Sequence, residues 1–578
     1  MKKSRRRSSS RRRLKSAHPA RRAPRAVRVP QPRDPAPLLL APGLSAQKAA
    51  ALLRPYGVTD FKRADANLQA MAGEPRSREI LATILENVLE GISHTADPDL
   101  ALTHWEQYAA VVGNRASFFE FIRKSPRLLH LLCSIFGSSP AMAQTLIRDP
   151  LELYRLAEAE LLDAAATRTA LEKALAAVLG AVTATELKLE ALRRFRRREM
   201  LRIGVRDLLR VATVPETTVA LSDLAAVLIQ AALRIVQRDL SARYGLPMHR
   251  NHRGQWTQTG FAVIAMGKLG GGELNFSSDV DLLYVYGTED GETKPAKGGE
   301  ARSIPNEEYF EYLARALSAA LAERTQEGYV YRVDLRLRPE GTVGSLAKSV
   351  SGYEQYYRTR GRLWERQALL KAAPIAGDPA VGLAFLHMAE RFIYQRDAPV
   401  AVHDVLAEVQ SVKAMIDDKM AGRGQERRNV KLGIGGIREI EFIVQAAQLL
   451  GGAHVPGIRD RNTLQALDKF ARDGVLSKKD ATLLAQAYVF LRDVEHKLQM
   501  VHDLQTHALP DADEELARCA VRLGYPGATQ AARRQRFLAD HRRYTTEVRR
   551  LFVELIERPA TSRLVRALRV PVTPSRMA

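Results

Sequence analysis

Cysteine is nearly absent from this chain: Cys133 and Cys519 are the only two in 578 residues, far apart and outside any metal-ligand spacing. That scarcity fits a reducing, cytoplasmic setting. No run of 18 or more apolar residues occurs, so no segment is expected to span a membrane and no membrane partner is expected. The apolar run Leu38 to Leu40 is shorter than the core of a secretory signal, and no cleavage pattern accompanies it.

Acidic residues are scarce at the start. Residues 1 to 35 carry 14 Lys or Arg against the single Asp34, so much of the formal charge of +23 sits in a leader and the remainder is mildly basic. With few apolar groups to bury, residues 1–37 are read as a disordered basic leader. An organelle transit peptide would share this composition, and nucleic-acid binding would act through this leader alone; nucleic acid is not expected as a partner of the folded part. At 578 residues the rest exceeds one hydrophobic core, while 46% hydrophobic and 26% charged residues are ordinary for a globular protein.

The order of elements is legible from the pattern. Residues 38–245 read as a helical region, with helix starts at Ser125-Pro126, Ser139-Pro140 and Asp149-Pro150, each a capping residue before proline. Within it, residues 186–210 put Leu192, Phe195, Met200 and Ile203 near one face and arginines over the rest. A solvated basic face is the favoured reading, a contact to phosphates or another anion the alternative. Residues 246–375 change character: FAVIAM from Phe261 reads as a buried strand, a glycine turn follows, and Val280 to Tyr286 reads as a second strand. A polar loop (287–306) and a helix (307–325) with Tyr309, Leu313, Leu317 and Leu321 lead to a third strand, YVYRVDLRLRP. There Tyr329, Tyr331, Val333, Leu335 and Leu337 alternate with Arg332, Asp334, Arg336 and Arg338. Residues 376–560 return to helix as a bundle, and 561–578 read as a frayed tail. The predicted fold is mostly α, with a small mixed α/β sheet core flanked by helical domains.

Chemistry is decided by spacing. The glycine turn at 267–272 is not a P-loop, because Gly267-Lys268 is followed by Leu269 and residue 262 is Ala262; neither GKLGGG nor GIGG supplies a dinucleotide fingerprint. His403-Asp404 and His502-Asp503 lack further metal ligands and read as exposed helical histidines. Asp97 and Asp99, and Asp511 and Asp513, sit beside prolines as loop and cap residues. What remains is Asp279 and Asp281, two apart at the head of a strand and therefore about 6 to 7 Å apart on one face. Asp334 follows on a later strand. Three carboxylates suit two-metal phosphoryl or nucleotidyl transfer, with Mg²⁺ on hard oxygen donors. Backbone N–H groups of Gly270, Gly271 and Gly272 would cradle a polyphosphate, and arginines beside Asp334 would neutralise charge on the transferred group. Three solvent-facing strand acids would show the same pattern.

The run AMGKLGGGELNFSSDVDL, then YRVDLRLRPEGTVGSL, WERQALLKAAPIAGD, VKLGIGGIREIEFIVQ and LRDVEHKLQMVHDLQTHALP resemble glutamine synthetase adenylyltransferases, members of the DNA polymerase beta nucleotidyltransferase superfamily, from about residue 115 to 530. The family usually joins two catalytic halves, one attaching AMP to a tyrosine of glutamine synthetase and one removing it by phosphorolysis. The resemblance implies one half here, closer to the adenylyl-removing one in ELNFSSD and GIGGIREIEF, with ATP or ADP, phosphate and Mg²⁺ as small partners. It also implies regulation of nitrogen assimilation, with the PII signalling protein and a separately encoded second half as further expected partners. Carried over, Asp279, Asp281 and Asp334 would bind metal and serve catalysis. Ser277, Ser278, Gly270, Gly271, Gly272, Arg336 and Arg338 would approach phosphate, with Arg332 behind them. Glu439 and Glu441 would complete the site or merely cap their helix. The alternative expectation is an inactive regulatory or binding module of a split enzyme.

Overall fold

The computed structural model describes residues 34–158, 162–295, 302–395, 401–558 and 562–568. The expected disordered leader falls outside them for residues 1–33, as does the tail beyond 568. Residues 562–568, expected to be frayed, instead include the short helix Arg563–Ala567, whose Leu564 and Val565 are buried.

Helix follows helix from Pro37 to Tyr244, and again from Pro379 onward, so the protein is mostly α with small sheets between. Ser139 caps the helix Pro140–Arg148 through its hydroxyl, and Asp378 caps Pro379–Ile393. The helix Pro126–Phe136 starts after Ser125 without a side-chain cap bond, and the one expected at Asp149-Pro150 begins only at Glu152. The helix Val214–Tyr244 is long and apolar enough to cross a membrane. Most of it is buried inside the protein: it packs on the helix Thr185–Leu208, on Asn306–Ala322 and on the sheet.

The strands are β1 (Leu246–Arg250), β2 (Trp256–Gln258), β3 (Phe261–Ala265), β4 (Val280–Tyr286), β5 (Glu292–Lys294), β6 (Val333–Asp334), β7 (Ala347–Ser349) and β8 (Ala373–Gly377). A small outer sheet runs β2-β1-β5; the central one runs β6-β4-β3-β8. β3 pairs antiparallel with β4 and β8, while β6 and β7 lie parallel along successive stretches of the far edge of β4.

Both faces of the central sheet are covered, which explains why β3 is buried at every position. Phe261, Val263, Ala265, Leu282 and Tyr284 join the core built by the amino-terminal helices; Ala262, Ile264, Leu283 and Val285 join the core built by the carboxy-terminal helices. Asp281 lies in β4 on the second face, because side chains alternate along a strand.

Two expectations need correction. The third strand, read over residues 329–338, is only Val333–Asp334. Val330 and Tyr331 donate their N–H groups to Leu321 O, and the Arg336 N–H turns back to the Asp334 carboxylate, so the chain leaves the sheet on either side. Leu337 consequently packs with the opposite core from Tyr331, Val333 and Leu335. The basic helix of residues 186–210, Thr185–Leu208, is not a solvated face either: Arg193, Arg202 and Arg206 are buried, and Arg202 pairs with buried Glu199 at 2.7 Å.

Candidate active site

The parallel pairing of β4 with β6 sets Asp281 directly beside Asp334, with Val280 beside Val333. In-register neighbours on parallel strands point to the same face, so the two carboxylates share the side that meets the carboxy-terminal helices. Asp279 lies just ahead of β4. Arg332, two residues before Asp334, donates from Nε to Asp279 at 2.5 Å, from Nη1 to the Tyr329 hydroxyl at 2.7 Å and from Nη2 to Ser277 O at 3.4 Å. Arg336 grips Asp334, with Nε 2.9 Å from one carboxylate oxygen and its backbone N–H 2.9 Å from the other. The Arg336 contact holds the Asp334 carboxyl below its usual range.

Asp281 differs from its two neighbours. It makes no ion pair among the described residues, and its carboxyl is pushed up to about 6, first by burial and then by the charges of Asp334 and Asp279, with Lys431 and Arg336 opposing. A carboxylate destabilised by two others and left without a partner is what a cation site looks like before the cation arrives. The donor set is all oxygen, which fits a hard divalent ion. Among the described residues the acids do not close into a ready cluster, two of them being turned to arginines.

The glycine turn is a single helical turn, Gly267–Gly270. Gly267 has φ +54°, and a β-carbon there would come within 2.6 Å of Asp281 Oδ2, so only glycine lets this backbone lie against the acid. Gly270 instead backs onto the Lys371 carbonyl, 1.8 Å from an added β-carbon, and Gly271 onto the Arg461 carbonyl at 2.9 Å. Their smallness serves packing against the second helical layer. The Ser277 hydroxyl donates to Asp503 O at 3.0 Å and its N–H to Gln499 at 3.2 Å; Ser278 is half-buried beside it. Arg338 turns away from the acids to hold its own loop, bonding the carbonyls of Leu335, Thr342 and Gly344. Arg336 stays mostly exposed.

Around the acids the helical layer supplies cations that the motif reading passed over. Lys268 sits 3.0 Å from buried Glu495; burial draws its ammonium down to about 7, with Lys431 and Arg492 adding to the effect and Glu495 resisting it. His507 contacts the same carboxylate at 2.7 Å. Buried Arg492 reaches the Glu273 carbonyl at 2.5 Å and the Tyr488 hydroxyl at 2.7 Å, and Lys371 pairs with Glu273. Glu441, on the helix Ile437–Gly451, belongs to this layer: burial works to raise its carboxyl, but Arg438, Lys371, Lys268 and Lys431 bring it down to about 2. Glu439 does not. It pairs with Lys413 at 3.0 Å and Arg549 at 3.5 Å, inside the helical bundle. Lys268 and Lys431 stand within the GKLGGG and VKLGIGG runs already singled out for their glycines. The pattern supplied their position, but nothing in a single sequence tells a lysine turned toward buried carboxylates from one facing water.

Residues 129–388 match the model of the glutamate-ammonia ligase adenylyltransferase family, and residues 410–556 match that of the GlnD PII-uridylyltransferase family. The resemblance read from the motifs holds. A protein of Nitrosococcus oceani named bifunctional glutamine synthetase adenylyltransferase/adenylyl-removing enzyme is 41% identical over 400 residues, which is 69% of this chain and 40% of that protein. Proteins of the same name from Hahella chejuensis and Xanthomonas campestris are 41% and 42% identical, over 59% and 58% of this chain and 34% of each relative. The chain thus spans between a third and two fifths of the length of these relatives. Its three acids, its glycine turn and the lysines at 268 and 371 all lie inside the adenylyltransferase match; Lys431, Glu441, Glu495 and His507 lie inside the second.

Proposed function

We propose that this chain is a nucleotidyltransferase acting on glutamine synthetase, removing AMP from an adenylyl-tyrosine by phosphorolysis to give ADP, or attaching AMP from ATP to that tyrosine, in the control of nitrogen assimilation. The observation that carries the reading is the register of Asp281 with Asp334 on one face of the sheet, with Asp279 adjoining and Asp281 unpaired. Asp279, Asp281 and Asp334 would hold Mg²⁺, which supplies charge neutralisation at the phosphates and at the attacking and leaving oxygens.

The protein's own groups do the rest. In removal, an oxygen of inorganic phosphate attacks the α-phosphorus, the bond from phosphorus to the tyrosine oxygen breaks, and the tyrosine departs as its hydroxyl with the proton that the attacking hydrogen phosphate gives up. In attachment, the tyrosine hydroxyl attacks the α-phosphorus of ATP, the bond from that phosphorus to the bridging oxygen breaks, pyrophosphate leaves and Asp334 accepts the hydroxyl proton. Lys431, whose charge acts on Asp281, and Arg336 at the open edge would hold the phosphate oxygens, with Lys268 of the glycine turn and Ser278 beside them. Gly267 lets a phosphate approach the backbone; Gly270, Gly271, Ser277 and Arg338 keep the turn and loop in shape.

The domains follow the same logic: a helical region to residue 245, the catalytic core over 246–375, and a helical bundle over 376–560 that closes the acid-bearing face. PII-type signalling proteins are the regulators we propose for the bundle, on its match to the PII-uridylyltransferase family. The cytoplasm is the proposed location.

The test is incubation of the full chain with adenylylated glutamine synthetase, Mg²⁺ and phosphate, and separately with ATP and unmodified glutamine synthetase. ADP release in the first, or AMP transfer in the second, is expected. Neither product, under conditions where a two-domain relative yields both, overturns the assignment.

A further inference from the structure

A cavity of about 460 Å³ opens beside the acid site on the other side of the Arg332 side chain, between the helices Pro140–Arg148 and Thr185–Leu208, the loop of residues 324–329 and the end of the helix Lys478–His502. Its volume falls in the range of sites that enclose small organic ligands. Its floor is apolar, with Met142, Met200, Phe276 and Met500, while five arginines reach it: Arg148, Arg193, Arg196, Arg197 and Arg324. Among the described residues, two carboxylates line it, Glu327 and Asp503.

The charges cancel only in part: Asp503 faces Arg196 and Arg324 together. Glu327 is shared by Arg148 at 3.0 Å, Arg197 at 2.7 Å and Arg194 at 3.6 Å. Arg196 and Arg324 make no ion pair among the described residues; both lie over the Tyr329 ring, at 5.3 and 5.5 Å. Arg193 is 2% exposed and pairs through its Nη groups with Glu190 at 3.2 Å and Glu323 at 3.7 Å, while its Nε faces no acceptor. Gln499, fully buried in the same wall, has its side-chain N–H₂ without a partner. Buried donors left unmatched cost free energy unless a ligand satisfies them.

We propose that this cavity is a second ligand site, distinct from the acids, which takes a phosphorylated small organic molecule of nucleotide size. Guanidinium groups arrive from a helix, a second helix and a loop, so they surround their ligand as a tetrahedral dianion requires, where a planar carboxylate would use one fork. The thioether and phenyl floor receives the organic body. Occupancy reaches the catalytic face through Tyr329, which stacks with Arg196 and Arg324 and accepts a hydrogen bond from Arg332, the side chain that holds Asp279. The Ser277 hydroxyl, bonded to the Asp503 carbonyl, is a second connection.

The experiment is calorimetric titration of the full chain, in EDTA to silence metal-dependent binding, with ADP, inorganic phosphate and adenosine. The wild type, Arg324→Ala, Arg196→Gln and Asp281→Asn are compared after their melting curves verify folding. Arg324 is exposed and makes no ion pair among the described residues, so its variant is expected to fold. ADP is expected to bind, more tightly than phosphate or adenosine, with affinity falling at least tenfold in both arginine variants and less than twofold in Asp281→Asn. ADP binding that is lost in Asp281→Asn or untouched in the arginine variants overturns the proposal. So does adenosine or phosphate binding as tightly as ADP, or an absence of ADP binding at about 1 mM.

Discussion

At the residue scale the balance turns on Asp281. Its carboxyl is held at about 6 by burial and by two like charges, against an ordinary value of 3.8. A tenfold change in proton affinity is worth about 1.4 kcal/mol, and partial solvent screening reduces the total for this carboxyl to roughly 1 to 2 kcal/mol. The sign follows from proton binding: between pH 4 and 6 the folded state holds this proton and the unfolded state releases it, so stability falls as pH rises through that window and the cost is complete above it. Asp281→Asn should therefore raise the melting midpoint at pH 7.5 while removing turnover. The gain should shrink at pH 5, where the wild-type carboxyl is mostly protonated. Thermal melts at both pH values check it; an Asn variant that melts below the wild type at pH 7.5 contradicts the electrostatic account. The three acids were legible because their spacing is a statement about one strand and its neighbour. The partners of Arg332 and Arg338 were not legible. Both stand on one side of an ideal alternation, yet Arg332 reaches Asp279 and Arg338 its own loop carbonyls, since the strand ends at Asp334.

At the scale of elements, the turn Gly267–Gly270 joins β3 to the loop ahead of β4 and wedges against the chain entering β8. Gly270→Ala would drive a β-carbon into the Lys371 and Ala265 carbonyls, at 1.8 and 2.6 Å, which backbone cannot yield cheaply. The expected loss is about 2 to 4 kcal/mol, since overpacking here also shifts backbone. Gly272→Ala meets open space and suffers only the strain of its φ of +67°, roughly 1 kcal/mol. Urea unfolding of the pair measures the difference, and equal losses would contradict the packing role of Gly270. Strands β3 and β4 were readable from their apolar runs. The strands β2, β5 and β7 have three residues each, too few for a period to show, and β1 and β8 each hold a proline, which argues against a strand. The helix Thr185–Leu208 misleads because its arginines are drawn inward by acids on the same helix and by distant groups, such as Glu199 for Arg202 and the Leu162 carbonyl for Arg206.

At the scale of the whole molecule, the two helical layers do not merely flank the sheet; they also touch each other. Asp207, on the amino-terminal side, pairs with Lys497 and lies 3.3 Å from His496 on the carboxy-terminal side, all of them buried. Burial works to raise the Asp207 carboxyl, but the charge of Lys497 and the contact with His496 carry it well below its usual range. Ser139 bonds the Met500 carbonyl at 2.5 Å and Arg522 the Ser138 carbonyl at 2.9 Å across the same seam. Asp207→Ala leaves Lys497 buried with only partly exposed Asp493 beside it, and should cost about 3 to 5 kcal/mol. A depressed carboxyl stabilises the fold above its unfolded value near 4 and stops doing so as pH falls further, so the variant and wild type should converge below pH 4. Denaturation across pH checks this, and a loss that persists undiminished at pH 2 contradicts it. The second layer also reaches the acid face: Lys431 acts on the Asp281 carboxyl, and Glu495 pairs with Lys268 of the glycine turn. No local pattern announces such a contact, because its partners are some 290 positions apart at Asp207 and Lys497.

The most direct test of the joint site is a Mn²⁺ titration of the full chain followed by electron paramagnetic resonance, comparing the wild type with Asp281→Asn and Asp334→Asn. The wild type should bind Mn²⁺, with affinity weakening as pH drops through about 6, and each variant should lose at least tenfold in affinity while keeping its fold. Mn²⁺ bound equally well by all three proteins would contradict the convergence of these carboxylates on a metal.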